Sequence, residues 1–270
     1  MTQASGYRER NSTADKALTV LQMFTDERPE LTAVEVAENL GVARSTAYRY
    51  LQTLVQSHFL TDTGHGSFRL GLRVLELARI ARRGYGLSDL CVPAMRELAN
   101  EFHQTVLLTK QMGNSVVCLE REESRQQYVR LSYERGSILS INAGASALIL
   151  LAWQPEERVR QVLSSVEMRP FTQNTVIDVD AIIRKLVKIR EQGFAHTEGE
   201  VDAKATGIAA PLFDSNGEVT AGLSVVVIRT LVDEAEIERI THRVVDVAAA
   251  LTGSLALLEA RDLQLQSDRS

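Results

Sequence analysis

Between residues 44 and 52 stand Arg44, Ser45, Thr46, Tyr48, Arg49 and Gln52. These are side chains that hydrogen-bond base edges and phosphates when one helix face carries them into a major groove. The residues between and after them, Ala47, Tyr50, Leu51 and Leu54, recur at i, i+3, i+4 and i+7. That spacing predicts a helix over 44–56 with a core-facing stripe and a polar, basic face. Arg44 falls at the helix start, where base contacts are usual, and Tyr48 and Arg49 are better placed for phosphate or a mixed role. Any one exposed Arg or Ser is commonplace on a solvated helix, so the weight lies in the combination with its surroundings.

Those surroundings are what a reading helix needs. Thr32 and Glu35 have the spacing of a capping box and open a short helix with Val36, Ala37 and Leu40 on one face. Ala37 is small where two helices must cross closely, and Gly41 suits the positive φ of the turn between them. Val42, Ala47 and Leu51 are the anchors after the turn. Upstream, Asp15 is expected to cap a helix with the stripe Ala17, Leu18, Leu21 and Phe24, broken by residues 26–30. Downstream, residues 59–70 form two strand-like pieces around Gly64-His65-Gly66. This hairpin reads as a wing, with His65 and Arg69 able to touch the DNA backbone. Residues 72–83 then read as a linking helix. Its Leu72, Leu75, Ala78 and Ile80 would otherwise face water, so a partner subunit is expected to cover them.

A second candidate site lies in Ala143-Gly144-Ala145-Ser146, which opens a strongly apolar helix over 143–153. Helix N-terminal amides attract anions, small side chains let a ligand reach the backbone, and Ser146 and Ser224 offer donors to a carboxylate. The plainer alternative is that small residues merely allow close helix–sheet packing. Around this site the pattern predicts a helix at 87–102, strands at 106–111, 116–121 and 128–131, and an extended stretch at 136–142. It continues with a helix at 179–192, strands at 194–196, 208–213 and 219–228, and a closing helix with the stripe Ile237, Ile240, Val244, Val247, Leu251, Leu255 and Leu258. The fold class is therefore α+β: a winged helix-turn-helix, a linking helix, and an antiparallel sheet covered by helices. The expected boundaries are a flexible arm 1–13, a DNA-binding domain 14–71, a linking helix 72–84, an effector-binding domain 85–262 and a polar tail 263–270.

Bulk numbers agree with this division. The chain has 270 residues with net charge −5. Residues 1–83 hold eleven Lys and Arg against nine Asp and Glu, and residues 84–270 hold nineteen against 26, so only the first part is basic. That permits DNA binding there and argues against non-specific nucleic-acid coating elsewhere. No unbroken apolar run reaches the roughly 18 residues of a membrane span, and the polar stretch from Met1 to Thr13 lacks the apolar core expected of a signal peptide. A cytoplasmic location is expected. The two cysteines, Cys91 and Cys118, are expected to be reduced packing residues.

At this point the sequence resembles the IclR family of transcriptional regulators, from Lys16 to Leu258. The resemblance rests on Lys16-Ala17-Leu18-Thr19-Val20-Leu21, on residues 31–37 and 45–54, and on Phe68-Arg69-Leu70-Gly71. In the second part it rests on residues 141–147, Gly193-Phe194-Ala195 and residues 208–214. It implies a GAF-like effector domain, homodimers paired through the DNA-binding part and sometimes joined into tetramers, and effectors that are small carboxylates or aromatic acids of catabolic pathways. It implies a pocket with Ala143, Ala145 and Ser146 as one wall, Tyr128, Leu131 and Leu139 as an apolar side, and Thr197, Ala205, Gly207, Ser224 and Val226 as the rest. Lys204 departs from the usual glycine, Thr197 from the acidic residue of some members, and Val226 from the hydroxyl of others.

Other constellations carry less. Glu198, Glu200 and Asp202 read as a solvated acidic loop rather than a metal or acid–base centre. Cys118 beside Glu120 reads as a buried thiol rather than a nucleophile. The expected function is a sequence-specific DNA-binding regulator under effector control. It is not an enzyme, and no cofactor or metal is expected. The competing readings are an enzyme acting on a small organic acid with an accessory helical domain, and a scaffold that uses its N-terminal helices only to dimerise.

Overall fold

A computed structural model of the chain describes residues 12–84, 86–124 and 133–267, and divides into two units between residues 84 and 85. The first unit contains α1 (Ser12–Gln22), β1 (Glu30–Thr32), α2 (Ala33–Leu40), α3 (Arg44–Gln56), β2 (Leu60–Asp62), β3 (Ser67–Leu70) and α4 (Leu72–Gly84). Val20, Leu31, Val36, Ala47, Leu51, Leu60 and Phe68 form its core. The capping box is formed: Glu35 N donates to Thr32 Oγ1 at 3.3 Å, and Thr32 N donates to Glu35 Oε2 at 2.7 Å. Gly41 ends α2 at φ 62°, and Val42 N donates to Ala37 O at 3.0 Å, closing the turn into α3.

The hydrogen bonds from Thr32, backbone first, hold the Glu35 carboxyl below its ordinary value. Because the folded state favours the ionised form, this contribution is present above the unfolded carboxyl's pKa and is lost as pH falls through the lower folded value. Thr32→Ala is expected to cost about 1 kcal/mol at neutral pH, with the gap to wild type narrowing under acid. Urea midpoints at neutral pH and in the acid carboxylate range measure both; equal midpoints at neutral pH would exclude the cap as a stabiliser.

The start of the chain departs from expectation. α1 begins at Ser12, so residues 12–13 are helix rather than arm, and Asp15 lies in the first turn instead of capping it. Leu18 is 58% exposed while Val20 is fully buried, because the position of α3, not the helix's own periodicity, decides which face is covered. The hairpin is as expected, but β1 adds a third strand in the order β1-β3-β2, with Glu30 opposite Arg69.

The second unit contains α5 (Leu87–Phe102), β4 (Thr105–Met112), β5 (Ser115–Glu122), β6 (Ile138–Leu139), α6 (Ala145–Leu151), α7 (Glu156–Ser164), α8 (Val179–Gln192), β7 (Ala195–Glu198), β8 (Ala205–Phe213), β9 (Val219–Ile228) and α9 (Glu234–Ser267). Among the described residues, six strands of this unit make one antiparallel sheet in the order β6-β5-β4-β9-β8-β7. Alternation sends Leu108, Ile208, Leu223 and Val225 to one face, where they pack with Leu98 of α5 and Ile240, Val244 and Leu251 of α9. The opposite face receives α6, with α7 and α8 packed outside it through Val162, Leu163, Ile182 and Leu186.

Over 234–258, α9 is long and apolar enough to cross a membrane by composition alone, yet Ile237, Ile240, Val244, Leu251 and Leu255 of its stripe are buried, while Val247 is half-buried and Leu258 exposed. It runs on to Ser267, so residues 263–267 of the expected polar tail are helical. The apolar helix expected over 143–153 is shorter, Ala145–Leu151, with Gly144 as its N-cap. α7 was not expected from the pattern. The strand expected at 128–131 lies outside the described residues. Burial pushes the Cys91 thiol up to about 12 and the Cys118 thiol up to about 11, so neither supplies a thiolate at neutral pH.

Candidate DNA-reading face and effector cavity

In the first unit, α3 turns Ala47, Leu51 and Leu54 into the core. Arg44, Ser45, Tyr48 and Arg49 are exposed, and Thr46 and Gln52 are half-buried. The N-cap Ala43 makes no side-chain hydrogen bond to the first turn of α3, so the helix's positive end is uncovered by any cap. Tyr48 is not a free-standing side chain: its ring meets Phe68 of β3 edge-on, with centroids 6.1 Å apart. Because Phe68 is buried, this contact ties the reading helix to the wing. In the wing, Gly64 N donates to Asp62 Oδ1 at 2.8 Å and Thr63 Oγ1 donates to Ser67 O at 3.0 Å, leaving His65 and Arg69 exposed.

In the second unit a cavity of about 40 Å³ lies between the N-terminal end of α6 and the sheet. Its floor is a row across three strands, Thr197 opposite Gly207 and Gly207 opposite Val226. Gly207 allows a close approach there: a Cβ would stand 3.2 Å from both Ala145 Cβ and Thr197 Oγ1, so those side chains would have to give by a few tenths of an ångström. Of the predicted pocket residues, Leu139, Ala143, Ala145, Ser146, Thr197, Ala205, Gly207 and Val226 all line the cavity. Tyr128 and Leu131 lie outside the described residues. Ser224 is fully buried, and its hydroxyl lies 2.7 Å from Ser146 Oγ.

The polar wall differs from the one expected. The amides at the start of α6 do not wait for a ligand: Gly144 N donates to Glu200 Oε2 at 2.9 Å, and Ala145 N donates to Thr197 Oγ1 at 3.0 Å. The Ser146 and Ser224 hydroxyls share one hydrogen bond, which uses one of their two protons. Glu200, read from sequence as part of a solvated loop, is only 5% exposed and is ion-paired with Lys185 of α8. Thr175 Oγ1 donates to Glu200 O at 2.6 Å and Thr172 Oγ1 to Gly199 O at 2.5 Å, so the segment after β7 is held in place. Burial pulls the Lys185 ammonium below its ordinary value.

Leu107, Tyr133, Val201 and Asp202 also line the cavity and were missed. Burial, with the Asp202 charge adding, pushes the Tyr133 hydroxyl up to about 12, so it stays a protonated donor at neutral pH. Leu107 sits in a strand apolar on both faces, where alternation gives no signal of direction. Glu200 meets Lys185 across 15 residues, and nothing local in the sequence marks that pairing. Among the described residues, no cluster of three or more His, Cys, Asp or Glu is placed to hold a metal ion.

Comparison with known proteins decides what this pairing of units is. A family model for the helix-turn-helix domain of IclR matches residues 13–64, and one for the C-terminal part of bacterial IclR transcriptional regulators matches residues 77–252. The chain belongs to the IclR family. This IclR-family chain is 25% identical over 243 residues to the HTH-type transcriptional regulator KipR of Bacillus subtilis, covering 90% of this chain and 96% of that one. An IclR transcriptional regulator from Alicyclobacillus acidocaldarius shares its fold, with a TM-score of 0.79 at 23% identity over 90% of this chain and 98% of that one. An IclR homolog from Microbacterium hydrocarbonoxydans, crystallised with 4-hydroxybenzoate, gives a TM-score of 0.76 at 27% identity, covering 90% of this chain and 98% of that one. As an IclR-family member the chain is a DNA-binding transcriptional regulator and not an enzyme.

Proposed function

We propose that the chain is a cytoplasmic, sequence-specific regulator whose operator affinity is set by a small organic effector held in the cavity beneath α6. The observation that carries the DNA half is the exposed polar face of α3 beside an intact wing. Arg44, Ser45 and Thr46 at the helix start address base edges, and Tyr48, Arg49, Gln52, His65 and Arg69 address phosphates or share both roles. What supports the effector half is the convergence of eight predicted pocket residues on one cavity and the bound aromatic acid in the Microbacterium homolog. A carboxylate or aromatic acid of a catabolic pathway is the effector class we propose, its hydrocarbon part against Leu107, Leu139, Val201 and Val226.

Leu72, Leu75 and Ile80 of α4 are 79%, 68% and 50% exposed. We assign this face to pairing in a homodimer, with tetramers as the further assembly, so that two wings grip successive half-sites. The effector shifts DNA affinity only by its differential affinity for the two arrangements.

A gel-shift titration with DNA from the chain's own promoter region is the test. Binding is expected to outlast random competitor, to weaken steeply as salt rises, and to change when small organic and aromatic acids are added. Loss of preference over random competitor under every condition would remove the regulator reading of these residues.

A further inference from the structure

The outer face of the wing holds a carboxylate turned away from the cation opposite it. Leu31 of β1 and Phe68 of β3 are buried in the core of the first unit, so alternation sends Glu30, Ser67 and Arg69 to the other face of the sheet. There Glu30 stands directly opposite Arg69, and Ser67 lies on the diagonal, opposite Thr32. Directly opposed side chains start about 5 Å apart and diagonal ones about 7–8 Å apart, and an acid facing an arginine is an ordinary stabilising pair. The contact that forms is the diagonal one. Ser67 Oγ donates to Glu30 Oε2 at 2.5 Å, and Thr63 Oγ1, which donates to Ser67 O at 3.0 Å, lies 2.8 Å from Ser67 Oγ. The Arg69 guanidinium has no hydrogen bond or ion pair with any described residue. A hydroxyl bonded to a carboxylate is charge-assisted, whereas an exposed ion pair is worth little. One serine is therefore enough to decide which partner Glu30 takes.

We propose that Ser67 is a positioning residue for Arg69: by holding the Glu30 carboxylate it keeps that carboxylate off the guanidinium and leaves the cation to a DNA phosphate. This rests on the proposed function, in which Arg69 addresses the DNA backbone. Glu30 competes with phosphate for Arg69, and Ser67 takes it out of the competition. Because phosphate contacts carry no sequence information, the effect falls on operator and random DNA alike.

Backbone grip needs no operator, so the experiment titrates the full-length chain with a random-sequence duplex at low salt. Ser67→Ala is expected to weaken binding about two- to fivefold, the range of one exposed ion pair, and to lower the salt slope by up to about one. Ser67→Thr keeps the hydroxyl and is expected to bind like wild type. Glu30→Gln removes a negative charge near the phosphates in any background, so the deciding readout is a coupling. Its gain is expected to be about two- to fivefold larger in the Ser67→Ala chain than in wild type, and equal in the two once Arg69→Gln is added. A serine that only stabilised the wing would give additive changes.

Additive changes, or a Ser67→Ala chain that binds like wild type, overturn the proposal while Arg69→Gln still weakens binding. Arg69→Gln binding as tightly as wild type takes Arg69 off the DNA instead, and the wing reading falls together with the proposal.

Discussion

Replacing Gly71 with alanine is expected to destabilise the first unit by about 3 kcal/mol or more. The added Cβ would lie 2.2 Å from His58 O and 3.0 Å from the carbonyl carbons of His58 and Phe59. All three are backbone atoms, so no side chain can swing away to relieve the clash. The same junction holds two hydrogen bonds, Gly71 N to Phe59 O at 2.7 Å and Arg73 N to His58 O at 3.3 Å, and His58 sits at φ 63°. Moving Gly71 therefore pulls on the entry to the wing and on the first turn of α4 together. Gly253, inside α9, has nothing within 4 Å of its Cβ position, and there the same substitution is expected to stabilise by about 0.5–1 kcal/mol through lower unfolded-state entropy and better helix propensity. Thermal melts of both variants, with operator binding as a second readout for the first, decide the matter. A Gly71→Ala chain as stable as wild type would mean that this junction yields where its geometry says it is rigid.

Arg44→Ala is expected to weaken binding to a selected operator by about 1–3 kcal/mol, roughly fivefold to 150-fold, and to relax preference at one base pair. Arg44 is the first residue of α3 and is exposed, so the folded chain's stability should stay within about 0.5 kcal/mol of wild type. Arg49 is also exposed, but five residues further along α3 it stands about 140° around the helix from Arg44. Its loss should weaken binding to all sequences alike and reduce the salt slope by about one. The contrast separates reading from grip. Unchanged affinity and unchanged sequence preference for Arg44→Ala would take that residue off the reading face.

The sequence by itself determined the elements whose causes are local. A capping box, a positive-φ glycine and an apolar stripe at i, i+3, i+4 and i+7 placed α2, the turn at Gly41 and α3 at their observed bounds, because each depends on residues within a few positions of one another. The same holds for α8, whose cap Asp178 and terminal Gly193 bracket its stripe, and for the Gly64–Gly66 hairpin. Tertiary structure alone decided the rest. It chose Val20 over Leu18 as the buried face of α1. It added β1 to the wing, since a strand of three residues has no pattern until a partner lies beside it. At the cavity, the resemblance led to most of the lining, but not to what the lining's polar atoms do. Whether an amide at Gly144 is open to a ligand depends on a glutamate 56 residues later and on a lysine from another helix. Desolvation makes that pairing, and desolvation is a property of the packed molecule, not of any stretch of its chain.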